Sequence, residues 1–204
     1  MSELGLFPLG IVLLPTEQIP LHIFEHRYQE LIGECLADDR EFGLVYADDE
    51  GLRELGTRAA VTEVLERFDD GRLNIVVEGG ERFRLLELTS GRSFHTGVVE
   101  PVVDEPDPAD PEDEERALAL FARLVELTGA EVEPPERDVP QLSFALAGRF
   151  EFAAELKQRL LVLRSERARV RMLAEVLEGA AAAVEREREI GERAAGNGKV
   201  EPRG

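Results

Sequence analysis

The sequence predicts an α+β fold, on three observations. From the start to Val103, apolar and β-branched residues come in short runs cut by proline and glycine, and several alternate with period two, as half-buried strands do. From Asp104 to Glu115 the chain is mostly acid and proline, DEPDPADPEDEE, where proline blocks regular structure and like charges keep the backbone extended. Beyond that stretch the apolar spacing becomes helical. The expected organisation is a β half with one helix over 1–103, an acidic linker over 104–115, a helical subdomain over 116–184 and a disordered tail over 185–204.

The β half is organised around Phe7 to Pro15 and its continuation from Ile19 to Tyr28. Pro8, Pro15 and Pro20 punctuate an apolar sequence, and proline lacks an amide hydrogen and fixes φ, so this stretch predicts two short, edge-like strands and a crossing. Pro20 marks the entrance of the second strand. The polar run from Glu25 hands the chain to an amphipathic helix ending near Asp39, in which Tyr28, Leu31, Ile32, Cys35 and Leu36 fall at helical spacing. Glu41 to Ala47 reads as a strand, broken by Asp48-Asp49-Glu50-Gly51. A meander follows: Gly56 to Phe68, a turn at Asp69-Asp70-Gly71, Leu73 to Glu78, a second turn at Gly79-Gly80, and Arg82 to Leu88. Asp-Gly favours a hairpin because glycine admits the positive φ of a tight turn. Phe94 to Val103 is the last strand, whose Val98-Val99 and Val102-Val103 pairs predict burial on both faces near a barrel closure.

In the helical half, Ala117, Leu120, Phe121, Leu124, Val125 and Leu127 form an apolar stripe that Gly129 caps. After a Pro-Pro loop, Leu142, Phe144, Leu146 and Phe150 precede a run with Phe152, Leu156, Leu160 and Leu163 at helical spacing. Ser165 is placed to cap the final helix, whose Val170, Leu173, Val176, Leu177 and Ala180 predict a core stripe, with arginines on the other face.

The pattern F-P-L-x-x-V-L-L-P, four residues, then P-L-x-I-F-E-x-R-Y, resembles the opening of the Lon N-terminal (substrate-binding) domain in its stand-alone bacterial form. Within it stand Pro8, Pro15, Pro20, Phe24, Glu25, Arg27 and Tyr28. The likeness continues at Gly56-Thr57, the Asp70-Gly71-Arg72 turn, Gly79-x-x-Arg82-Phe83-Arg84-Leu85, Lys157-Gln158-Arg159-Leu160-Leu161 and Arg169-Val170-x-x-Leu173-x-x-x-Leu177. The resemblance implies a six-stranded PUA-like β pseudo-barrel followed by a helical subdomain. It also implies a protein that holds polypeptide substrates or partner proteins without cutting them.

Composition narrows the function classes. A formal charge of −19 repels nucleic-acid phosphates and anionic head groups over a Debye length of about 8 Å, so neither nucleic acid nor membrane is an expected partner. The single cysteine, Cys35, lies on the apolar side of the first helix and reads as a small buried hydrophobe. A reducing, cytoplasmic setting is expected, since the Ile11–Leu14 run is too short for a signal-peptide core and Glu3 stands where basic residues would. His22-Ile23-Phe24-Glu25-His26 matches H-x-x-E-H, a zinc-peptidase spacing. Two histidines at i and i+4 converge only on one continuous helix, however, and His22 sits in β-rich sequence; His95 offers no third ligand. Gly198-Lys199-Val200 lacks the upstream glycine and the hydroxyl of a phosphate-binding loop. The lysines, Lys157 and Lys199, stand in no nucleophile-like context, and the chain is too short for the ATPase and serine-lysine protease domains of full-length Lon. No cofactor and no catalytic activity are expected.

The expected function is binding of unfolded or extended polypeptide, as an adaptor or holdase in protein quality control. RNA binding through a PUA-like surface is the alternative, and a metal-dependent hydrolase the third. Expected polypeptide contacts are Leu14, Ile19 and Leu21 near the crossing, with Arg27, Glu30 and Glu34 on the exposed side of the first helix. Glu25 and Arg27 form either an ion pair or helix cap at the strand-to-helix corner, the preferred reading, or contacts to a client. Gly56, Gly79, Arg82 and Phe83 complete the structural motif.

Overall fold

The structure is a computed structural model that describes residues 1–136 and 139–197. Among these lie six strands and five helices: β1 Ser2–Leu9, β2 Gln18–Ile23, α1 His26–Asp38, β3 Phe42–Asp48, β4 Gly51–Arg67, β5 Leu73–Thr89, β6 His95–Pro101, α2 Pro111–Thr128, α3 Leu142–Ala147, α4 Ala154–Val162 and α5 Glu166–Asn197. The sheet order is β2-β5-β4-β3-β1-β6, and a further β5–β6 pairing closes five strands into a ring with β2 appended outside it. β1 runs parallel to β3; the other pairings are antiparallel. Pro20, which has no amide to donate, therefore sits on the appended strand, where only one edge needs a ladder.

The Gly79-Gly80 turn expected from the sequence does not form. β5 runs unbroken through both glycines and pairs with β2, β4 and β6 in succession. Gly79 serves close approach: a Cβ there would lie 2.1 Å from the Leu14 carbonyl oxygen. Its backbone also binds the crossing between β1 and β2, accepting from Thr16 N–H at 2.7 Å and donating to the Glu17 carbonyl at 2.9 Å. Buried Thr57 donates its hydroxyl to the Leu13 carbonyl at 2.6 Å. Gly56-Thr57 and Gly79 thus fix the path of the proline-rich crossing.

The crossing joins two cores. Phe7 stacks on Tyr28 at 3.9 Å between ring centroids, within a barrel core that holds Leu13, Ile32, Phe42, Ile75 and Val77. Val12 and Leu14 instead enter the helical core, against residues such as Phe121, Phe144, Leu160, Leu173 and Leu177. Alternate residues of one short segment thereby anchor both halves. Gly129 caps α2 in the left-handed region, donating to the Val125 carbonyl, and Ser165 Oγ accepts from Ala168 N–H at 3.0 Å at the start of α5.

Four further expectations are corrected. Helix α2 begins at Pro111, inside the presumed linker, and Asp104, Asp107 and Asp110 bond Arg82, Arg167, Arg169 and Arg171. Arginines do not merely coat the outer face of α5, because Arg169 is fully buried. α5 continues to Asn197, through most of the presumed tail, and residues 198–204 lie outside the described residues. Val99 is buried but Val103 is exposed, since β6 ends at Pro101 and frees the backbone from the two-faced packing.

An ionic clasp seals the barrel to the helices. Arg82 of β5 donates to the carbonyls of Leu161 and Leu163 at 2.6 and 2.7 Å and to Asp104. Arg169 grips Asp104 and Glu166, and both guanidiniums lie over the Phe144 ring, at 5.4 and 4.4 Å. Burial works to raise the Asp104 carboxyl, but hydrogen bonds from Arg169 and Gln141 and the charges of both arginines outweigh it and hold it below the usual carboxylate range. Lys157 of α4, buried, is ion-paired with buried Glu17, which also accepts from Leu14 N–H at 2.9 Å. Each charge is compensated where desolvation is costly.

Candidate polypeptide-binding surface

Outside the ring, β2 pairs with β5 along one edge, Gln18 opposite Glu78 through Ile23 opposite Leu73. Among the described residues no strand borders its other edge. Alternation divides its side chains: Ile19, Leu21 and Ile23 turn toward the barrel core, whereas Gln18, Pro20 and His22 are exposed. The exposed side carries a polar ladder, in which Gln18 donates to Glu78 and His22 pairs through Nδ1 with Asn74, which donates in turn to Glu66.

Phe24 continues the outward phase with an apolar side chain. It follows core residue Ile23 immediately, so its ring falls in the outward phase, and it is 62 % exposed. His22 stacks beside it at 5.9 Å, and Phe68, from the β4–β5 turn, meets His22 edge-on at 6.1 Å. Arg72 covers the Phe68 ring at 4.9 Å. Gln29 of α1 donates to the Phe24 carbonyl at 3.1 Å and so fixes the corner. An open strand edge thus ends in an exposed aromatic cluster, a combination that offers backbone pairing and an apolar anchor side by side.

The expected contacts fare unequally. Leu14 is fully buried in the helical core and presents nothing to a client, because the crossing turns it inward. Ile19 and Leu21 are half-buried against the barrel core and border the open edge. Glu34 pairs with Arg92, and Glu30 accepts from Ser93 Oγ at 2.6 Å, so both acids brace α1 to the β5–β6 loop. Arg27 forms an ion pair with Glu25 at 2.8 Å and lies over the Tyr28 ring; Glu25 makes no side-chain cap bond. Phe24, expected as a structural residue, belongs to the surface instead. Its position one residue past Ile19, Leu21 and Ile23 is the sequence signal that marks it.

The H-x-x-E-H residues do not share a helix face, since His22 lies in β2 and His26 opens α1 beside Gln29. No group of three or more His, Cys, Asp or Glu side chains among the described residues is placed to hold a metal ion. Cys35 is buried, and burial, with Glu34 adding to it, pushes its thiol up to about 11. No helix among the described residues is long and apolar enough to cross a membrane.

This architecture is shared with solved structures. The crystal structure of a Lon N-terminal domain protein from Xanthomonas campestris matches with a TM-score of 0.68 at 26 % identity, covering 85 % of this chain and 97 % of that one. The N-terminal domain of a Mycobacterium avium complex Lon protease matches with a TM-score of 0.67 at 16 % identity, over 87 % and 98 % of the two chains, a likeness of fold alone. Among curated relatives, a Lon protease of Anaeromyxobacter dehalogenans is 29 % identical over 86 % of this chain and 23 % of its own length. One of Parabacteroides distasonis is 26 % identical over 66 % of this chain and 17 % of its own. The chain thus spans about a fifth of the length of those relatives. The family model of the ATP-dependent protease La (LON) substrate-binding domain matches residues 3–179, and the chain belongs to that family.

Proposed function

We propose that this chain is a non-catalytic binding module that holds unfolded or extended polypeptide along the outer edge of β2, as an adaptor or holdase in protein quality control. The observation that carries this reading is Phe24, a large aromatic left 62 % exposed at the end of an edge strand. Burying such a ring against a client contributes roughly 1.5–3 kcal/mol, while the β2 backbone adds sequence-independent pairing. Binding of this kind is broad and weak, micromolar or poorer, about −8 kcal/mol or less favourable.

Nucleic acid and membrane surfaces are not the proposed partners. The net charge opposes both, and Arg167, Arg169 and Arg171 of α5 are occupied by Asp104, Asp107, Asp110 and Asp113. Fluorescence anisotropy with a permanently unfolded, labelled protein and with its folded form tests the reading. The unfolded form binds, the folded form does not, and Phe24→Ser weakens binding with the circular dichroism spectrum unchanged. Equal binding by folded Phe24→Ser, or submicromolar salt-sensitive binding of a structured RNA in a gel shift, overturns it.

A further inference from the structure

β1 is flanked by strands on both edges only in part. Ser2 to Leu6 face Val99 to His95 of β6, and Leu6 to Leu9 face Gly43 to Tyr46 of β3. β3 starts at Phe42, opposite Ala59 of β4, so among the described residues no strand borders the edge of Ser2–Gly5 on that side. Beside Ser2–Gly5 lies a groove of about 740 Å³, lined also by Leu31 of α1, by Asp39, Arg40 and Glu41 ahead of β3, by Arg58 of β4 and by Phe94. An extended chain pairs with an open strand edge at about 4.8 Å.

Arg58, opposite Gly43 of β3, reaches this edge. From β4, its Nη2 donates to Ser2 Oγ at 3.1 Å, and its Nη1 stands 3.6 Å from Glu41. The latter separation exceeds the roughly 2.7–2.9 Å of a charge-assisted hydrogen bond. The side chain is only 20 % exposed, so a partly desolvated guanidinium, with its fork of donors, lies at the end of an open strand edge held by a hydroxyl and a distant carboxylate. A closely docked carboxylate satisfies that fork better than either partner does.

We infer that this groove takes the C-terminal end of an extended polypeptide, which adds as a strand beside Ser2–Gly5 and places its terminal carboxylate on Arg58. The inference rests on the reading of the chain as a polypeptide binder. It adds a second site, away from Phe24, that reads a chemical end and not an apolar anchor. The four open-edged residues limit the paired segment to about four residues of guest chain.

The test uses the full chain and a fluorescein-labelled hexapeptide of alternating valine and threonine with a free C-terminal carboxylate. Two twins accompany it, one amidated at the C-terminus and one N-methylated at alternate residues. The free acid binds; amidation, or Arg58→Gln in the protein, weakens binding about tenfold or more, the loss expected for a hydrogen bond to a charged group. N-methylation of the alternate residues whose N–H groups face β1 abolishes binding, so the twin is made in both phases. Acid and amide binding equally, or tolerance of N-methylation in both phases, overturns the inference without relying on any protein variant. A hexapeptide that fails to bind where the unfolded protein does sinks this site alone. An unfolded protein that fails to bind where the hexapeptide does sinks the Phe24 surface alone.

Discussion

Arg169 of α5 meets Asp104 fork to fork, Nη1 on Oδ1 at 3.0 Å and Nη2 on Oδ2 at 2.6 Å, with the guanidinium fully buried. The carboxylate belongs to the acidic segment that follows the barrel, and the arginine to the longest helix, so this pair ties the two halves at one point. Removing one member of a buried pair strands the other, which costs about 3–5 kcal/mol. Asp104→Ala, which leaves buried Arg82 without a carboxylate and Arg169 with Glu166 as its one remaining carboxylate, is expected to lose up to that much in urea unfolding. A loss below about 1 kcal/mol contradicts the clasp.

The same pair sets a pH dependence. The folded Asp104 carboxyl titrates below its ordinary range, so its stabilisation is complete above the unfolded value of about 4 and is lost as pH falls through the folded value. Unfolding free energy measured from pH 6 down to pH 2 therefore falls in wild type below about pH 4, and falls less steeply in Asp104→Asn. Parallel profiles for the two proteins contradict the assignment.

Cys35 gives a second titration of opposite sense. Its thiol is raised to about 11 by burial first and by Glu34 second, so the thiolate that reacts with disulfide reagents is scarce at pH 8. Native protein is expected to react with dithionitrobenzoate at least tenfold more slowly than the urea-unfolded chain, at roughly the rate set by opening of the fold. Rapid native reaction means that α1 leaves Cys35 open.

Much of this fold is legible in the sequence because its signals are local. Period two gives β3 and the first part of β5, period 3.6 gives α1, α2 and α5, and Gly129 and Ser165 cap where they stand. Gly79-Gly80 misleads for a physical reason: glycine marks either a turn or a close approach, and which one depends on Leu14, far away in sequence. The acidic stretch misleads likewise, since its cationic partners lie on α5 and β5 and no local rule pairs Asp104 with Arg169. Of the surface, Ile19 and Leu21 border the open edge, Leu14 does not, and Phe24 was readable from its phase along β2.

One core substitution and one truncation separate packing from surface. Leu173→Ala removes a fully buried side chain from the helical core and is expected to cost about 2–5 kcal/mol. Deleting Glu185 onward removes exposed ion pairs such as Arg123–Glu185, worth about 0–1 kcal/mol, and should barely move the melting temperature. Equal tolerance of both changes means that the α5 stripe is not core.

Polypeptide docking along β2 is read most directly by hydrogen exchange of the full chain with and without a permanently unfolded protein. Amides from Gln18 to Phe24 whose N–H groups face the open edge are expected to gain protection, Pro20 excepted because it has none, and the gain is expected to shrink in Phe24→Ser. Saturating client with no added protection across Gln18–Phe24 contradicts the account.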